Sequence, residues 1–173
     1  IFHKNKLPSY ITDNYNYETG EMKIGPKIIQ MSFDRTCNYK CPSCRVDLIV
    51  ANSGDIKRVQ ITIDEIELNY GDEVTEFYIT GSGDPFVSVG FRNFLRNFDS
   101  KKFPKLQKIH LHTNASMWNK EMWDSMKKIH RYVKSCEISI DAATEYTYEN
   151  VTRIGGKWDI LIENLKFIST RPK

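Results

Sequence analysis

KIIQMSFDRTCNYKCPSCR, residues 27–45, runs without a break from a compact apolar segment into a loop that carries Cys37, Cys41 and Cys44. The apolar segment follows Gly25-Pro26 and reads as a buried strand of a parallel sheet. Three more runs of the same kind follow: EFYIT at 76–80, LQKIHLHT at 106–113 and CEISID at 136–141. Helical segments lie between and after them. TIDEIELNY opens at Thr62 with Glu65 three residues on, a capping box that satisfies free amides at a helix start. FRNFLRNF sets Phe91, Phe94, Leu95 and Phe98 on one face, and NKEMWDSMKKIH does the same with Met122, Trp123, Met126 and Ile129. KWDILIENLKFI gives Trp158, Leu161, Ile162, Leu165 and Ile168. Strand and helix alternate four times, which argues for an α/β fold with a parallel sheet and right-handed crossovers. Ligands of such sheets gather at the carboxyl ends of the strands. The cysteine loop begins at such an end.

The rest of the chain sets the bounds. Its 173 residues, 40% apolar and 12% aromatic, suffice for one sizeable core. Lysine plus arginine total 25 against 22 acidic residues, and a net charge of +3 gives no electrostatic argument for nucleic acid. No apolar run reaches the roughly 18 to 20 residues of a membrane helix, and IFHKNKLPSY has no export-signal pattern. A cytoplasmic protein without membrane association is expected. The start at Ile1 rather than Met suggests that native sequence precedes it. Residues 1–26 read as an N-terminal extension, with a short hairpin or arm over 8–24, and residues 27–173 as the core domain.

Three cysteines crowded into eight residues fit metal or redox chemistry better than disulfides in a chain of this kind. A closed zinc site needs four ligands, and the remaining candidates are Cys136, His3, His110, His112 and His130, none near the triplet in sequence. A zinc-stabilised binding module without enzymatic activity is therefore the alternative reading. Three thiolates on one loop suit a cubane 4Fe-4S cluster with one iron left uncapped by protein, an open position where chemistry can happen. Cys136 sits in an apolar strand and is expected to be buried and inert.

The spacing C-x3-C-x2-C in CNYKCPSC resembles the signature of the radical S-adenosylmethionine (SAM) superfamily. GSGDP at 81–85 is similar to that family's Gly-Gly-Glu-Pro element, and HTNAS resembles its Thr-Asn-Gly loop. ISIDA, followed twelve residues later by RIGG, resembles members that carry a SPASM or related auxiliary-cluster domain. The resemblance runs over about residues 27–170. It implies that Cys37, Cys41 and Cys44 ligate the cluster, and that the methionine end of S-adenosyl-L-methionine chelates the fourth iron. Gly81, Ser82, Gly83 and Asp84 would meet the SAM amino group, Arg153 its carboxylate, Ser139 and Asp141 the ribose or its hydrogen-bond network, and Asn114 the nucleoside or its own turn. Ser139 and Asp141, two residues apart on a strand, would share one sheet face. The glycines would let backbone groups approach a ligand closely. Asp84 has the alternative of capping the segment that follows it, and Asp141 that of capping a helix near Ala142.

Three positions depart from the family pattern: Ser43 stands where an aromatic is common, Asp84 where Glu is usual, and Ala115 where Gly is usual. Arg35, Lys40 and Arg45 surround the cysteines and would offset the charge of a thiolate-bound cluster. The implied fold is a partial (β/α) barrel of the radical SAM type with about four of its six strand-helix units, so either the chain is a fragment or another chain completes the sheet. The implied activity is reductive cleavage of SAM to a 5'-deoxyadenosyl radical that abstracts a substrate hydrogen, with ferredoxin or flavodoxin as electron donor. Peptide or protein modification, the commoner business of SPASM-type members, is favoured over a small-molecule substrate.

Overall fold

The computed structural model describes residues 9–171. The first eight residues of the expected extension, His3 among them, and residues 172–173 lie outside the described residues. A short helix α1 (Ser9–Thr12) and an antiparallel bridge between Tyr15 and Met22 lead into the alternating part. There follow β1 (Ile28–Met31), α2 (Ser53–Tyr70), β2 (Glu76–Ile79), α3 (Val89–Asn97), β3 (Lys108–Thr113), α4 (Lys120–Asp124), β4 (Val133–Ile138), α5 (Glu145–Thr147) and α6 (Trp158–Ser169). The four strands form one parallel sheet in the order β1-β2-β3-β4. Each parallel step needs a crossover, and α2, α3 and α4 supply them. The expected α/β architecture of a partial barrel, four strand-helix units long, is what the chain forms.

The strands are not the doubly buried runs that their composition suggested. Phe77, Ile79, Ile109 and Leu111 are wholly buried on one face, whereas Glu76, Tyr78, Lys108, His110 and His112 are half-buried on the other. Register places Glu76 beside Lys108 and Tyr78 beside His110, so polar partners meet across the strands. The apolar face is covered by the helices: Phe77 meets Phe94 and Phe103 edge-on at 5.6 and 5.1 Å, and Phe91 and Leu95 of α3 are fully buried. Such aromatic pairs add about 0.5–1.5 kcal/mol to their area burial.

Two helices differ from expectation. α2 starts nine residues before Thr62, with Asn52 as N-cap and Asp55 completing the box: Asp55 N–H donates to Asn52 Oδ1 and Asn52 N–H to Asp55 Oδ2, both at 3.0 Å. Thr62 is mid-helix, its hydroxyl donating back to the Arg58 carbonyl at 3.1 Å. The segment 119–130 is not one helix. α4 ends where the Ser125 hydroxyl donates to the Met122 carbonyl, and a separate 3-10 turn covers Lys127–Ile129. Met122, Trp123, Met126 and Ile129 are buried all the same.

A second, smaller apolar cluster positions the cysteine loop. Tyr39, Cys37 and Cys41 pack with Ala115, Tyr148 and Leu161, flanked by Trp158 and Leu165. The Tyr39 and Tyr148 hydroxyls lie 3.2 Å apart, so one donates to the other inside the protein. Fully burying a large apolar side chain is worth about 1.5–3 kcal/mol, and here that anchors the loop between its cysteines onto the segment preceding α6.

Candidate functional site

The loops at the carboxyl ends of the four strands converge on one cleft of about 210 Å³. Its lining includes all three loop cysteines, residues 80–84, His112, Thr113, Asn114, Ser139, Asp141 and Arg153. Every residue expected to hold a cluster or SAM is thus brought together, from segments over a hundred residues apart. Small-molecule pockets usually measure about 300–1,000 Å³, so this cleft is smaller than a usual ligand site.

Cys37 and Cys41 are buried, Cys44 is exposed, and all three thiols are free of disulfides. Burial pushes the Cys37 thiol above its ordinary pKa, opposed by the Tyr39 amide and by Arg45. The loop is tied at both ends of the triplet: Cys37 N–H donates to the Ile49 carbonyl at 3.1 Å, and Cys44 N–H to the Cys41 carbonyl at 2.9 Å. Lys40 N–H donates to Ile154 O at 2.9 Å, joining this loop to the RIGG segment.

Asp84 is the hub between two strand-end loops. Its side chain accepts from Phe86 N–H at 2.9 Å, the Thr113 hydroxyl at 2.7 Å and Asn114 N–H at 2.8 Å, and it is buried. Burial pushes its pKa up, while those donors pull it down. The carboxylate thus caps the turn that follows it and fixes the loop after β3 in one stroke. Ser82 is likewise engaged, its hydroxyl donating to the Ser32 carbonyl at 2.6 Å.

Gly83 lets two stretches of backbone meet beside the cleft. A Cβ on Gly83 would lie 2.5 Å from the Asp34 carbonyl oxygen and 2.6 Å from that of Thr36, so this glycine lets residues 81–84 lie directly on the chain entering the cysteine loop. Asp84 N–H donates to Thr36 O at 2.9 Å across that contact. Gly81 has φ +120°, and Thr80 before it has φ +129°, a region that costs a β-branched residue on the order of 1–3 kcal/mol. Thr80 is held there by its own amide donating to Met31 O at 3.1 Å and its hydroxyl to Gly83 O at 3.2 Å.

Ser139 and Asp141 do not alternate on a strand, because β4 ends at Ile138. Ser139 bonds His112 Nε2 through its hydroxyl at 2.9 Å. Asp141 has φ +54°, a left-handed conformation that turns its side chain onto Arg153, with which it forms an ion pair. It caps no helix; the N-cap of α5 is Thr144. Arg153 also reaches Cys41, Nη1 to Sγ 3.5 Å, and its Nε is buried with no hydrogen-bond partner. Ala115, where the family pattern has Gly, adopts φ +61° and is fully buried.

Cys136 is exposed on β4 rather than buried, since that edge strand has a neighbour only on the β3 side. Among the described residues, no three His, Cys, Asp or Glu side chains converge to hold a single metal ion. His112 turns to Ser139, and His130 stacks on Trp123 with 4.0 Å between ring centroids.

Two residues escaped the sequence reading. Asn164, buried in α6, donates to the carbonyls of Ala115 and Ser116 at 2.7 and 3.0 Å and holds the loop after β3. Its signal was a polar residue between Leu161 and Leu165 on an apolar stripe. Arg45, read only as counter-charge, clasps two loops: it donates to Arg35 O at 2.8 Å and Ser82 O at 2.7 Å.

The family model described as the Radical SAM superfamily matches residues 31–171. No curated protein sequence matches the chain. Among solved structures the chain is similar to BtrN in complex with AdoMet and 2-DOIA, at 11% identity and TM-score 0.43, over 68% of this chain and 47% of that one. It is also similar to the selenomethionine form of BtrN in an open conformation, at 11% identity and TM-score 0.46, over 73% and 56% of the two chains. The chain spans about half the length of these solved proteins.

Proposed function

The chain belongs to the radical SAM superfamily, and from that premise we propose that it forms the cluster- and SAM-binding wall of an enzyme that cleaves S-adenosylmethionine reductively. The observation that carries this reading is the convergence of three free thiols with the loops after β2, β3 and β4 on one cleft. The donor set fits a 4Fe-4S cluster: thiolates are its usual ligands, and a cubane offers each a separate iron, whereas a single zinc ion would draw them to one point. When bound, the cluster supplies the electron that splits the sulfonium from its ribose carbon. The low-potential donor would be a protein such as ferredoxin or flavodoxin.

In this reading the chain's own groups bind and orient. Cys37, Cys41 and Cys44 hold the cluster. The backbone of Gly81, Ser82 and Gly83 faces the SAM amino group, with Asp84 fixing that loop from beneath. Arg153 takes the SAM carboxylate, a role supported by its place in the cleft lining and by the rigid fork of the guanidinium. Ser139, Asp141 and Asn114 line the side on which the nucleoside would rest. Residues 27–173 act as one core unit with 1–26 as an extension. A peptide or protein as the source of the abstracted hydrogen is proposed on the resemblance of ISIDA and RIGG to SPASM-type members, and a cytoplasmic location is proposed separately.

The test is anaerobic reconstitution of the wild type and of a triple Cys→Ser variant. The wild type should turn brown and bind iron and sulfide in equal amounts, and the variant should bind neither. A colourless wild type that binds zinc instead would replace this reading with the zinc-stabilised module.

A further inference from the structure

Each of the three thiols has one side-chain N–H donor, and each donor belongs to a different residue. Asn114 Nδ2 lies 3.6 Å from Cys37 Sγ, Arg153 Nη1 lies 3.5 Å from Cys41 Sγ, and Arg45 Nη2 lies 3.5 Å from Cys44 Sγ. We propose that Asn114, Arg153 and Arg45 form a ring of donors, one per cysteine sulfur, that raises the reduction potential of the cluster these sulfurs hold. The inference rests on the cluster reading above.

The donors are fixed by bonds that do not involve sulfur. Asn114 is held by its amide on Asp84, by its side-chain N–H donating to Asn38 Oδ1 at 3.0 Å, and by Ser116 N–H donating to its Oδ1 at 2.9 Å. Arg153 is held by the Asp141 carboxylate, and only 12% of its side chain is exposed. Arg45 is held by the carbonyls of Arg35 and Ser82. None of the three has to reorganise when charge arrives.

The direction follows from charge. Reduction adds one negative charge to a centre already surrounded by thiolates. Burying Cys37 and Cys41 disfavours that added charge, because removal from water penalises the more charged state. N–H groups aimed at sulfur, two of them on permanent cations, favour it. The ring therefore offsets burial and keeps a dry cluster within reach of its electron donor. Arg153, mostly buried, is screened less by solvent than Arg45, and this outweighs the partial offset of its charge by the half-exposed Asp141 carboxylate, so Arg153 has the larger influence.

The experiment is a redox titration followed by electron paramagnetic resonance, with iron content and circular dichroism measured in parallel. It compares reconstituted wild type with Asn114→Ala, Arg153→Gln, Arg45→Gln, Arg153→Lys and Arg45→Lys. Arg153→Gln should lower the equilibrium constant for reduction about tenfold, a shift of about 59 mV for one electron toward more negative potential. Asn114→Ala and Arg45→Gln should shift it the same way by less, and the lysine variants should recover part of the loss. Potentials equal to the wild type's at full iron content would overturn the ring and leave the cluster reading intact. Iron loss in the lysine variants too, with the dichroism unchanged, would make these residues mere supports of the loop and would also overturn it. A wild type without iron would overturn both readings.

Discussion

The two faces of the four-stranded sheet are made of opposite chemistry by the same short strands. On one face Phe77, Ile79, Ile109 and Leu111 are wholly buried under helices. On the other, side chains bond to one another: the Tyr78 hydroxyl donates to Glu76 at 3.1 Å, Lys108 Nζ donates to the Tyr78 hydroxyl at 2.9 Å, and His110 Nδ1 pairs with Ser135 at 2.8 Å. The first face is where the free energy of folding is concentrated. The second is ordered but half-buried, and its last member, His112, lines the cleft. A parallel sheet with one face left polar has reserved that face for something other than helix packing.

The comparison is broken most directly on the apolar face. Phe77→Ala should cost about 3–5 kcal/mol, read as the loss of unfolding free energy in urea, because the surrounding rings of Phe94 and Phe103 cannot close the cavity. A cost near that of the polar-face changes below would show that the two faces share the load. At the rim where both faces end, Asp84→Ala should cost about 1–3 kcal/mol by orphaning the donors of Phe86, Thr113 and Asn114. It should also reduce iron retention after reconstitution, since Asn114 loses its anchor; unchanged retention would detach the hub from the site.

On the polar face the effects should be small. Tyr78→Phe removes two half-exposed hydrogen bonds and should shift stability by about 0.5 kcal/mol or less. A loss as large as that of Phe77→Ala would mean that this face is core after all. The subtlest test uses pH. Burial, then the nearby Lys108 charge, holds the His110 pKa below its ordinary 6.5. As pH falls below that value the unfolded chain takes up the proton first, so the wild type loses stability on acidification. His110→Gln should remove that part of the loss, seen as a smaller drop in Tm between about pH 7.5 and 5.5. Identical drops would mean that the ring is solvated in the folded protein.

Much of this was written in the sequence, though not all of it was readable. The alternation of strands and helices, the cysteine loop and its place at a strand's carboxyl end follow from spacing and periodicity, whereas the order of the strands in the sheet was implied only by the family resemblance. The polar face was also present, as the alternation in E-F-Y-I and K-I-H-L-H-T, but Tyr and His among aliphatics resemble an unbroken apolar run. The start of α2 was hidden because Asn52 and Asp55 form a box without the usual Ser/Thr and Glu. Arg45 was illegible as a clasp: its role exists only where residues 35, 44 and 82 meet, and no local pattern encodes that meeting.

The contact at Gly83 has a consequence for transplanting this site. With a glycine hydrogen facing the carbonyls of Asp34 and Thr36, the cysteine loop and the loop after β2 are moulded to each other's backbone. Residues 35–45 grafted alone onto another parallel sheet would arrive without the surface that shapes them. The smallest portable piece is the pair of loops with both strands beneath them, and drift in either loop is constrained by the other.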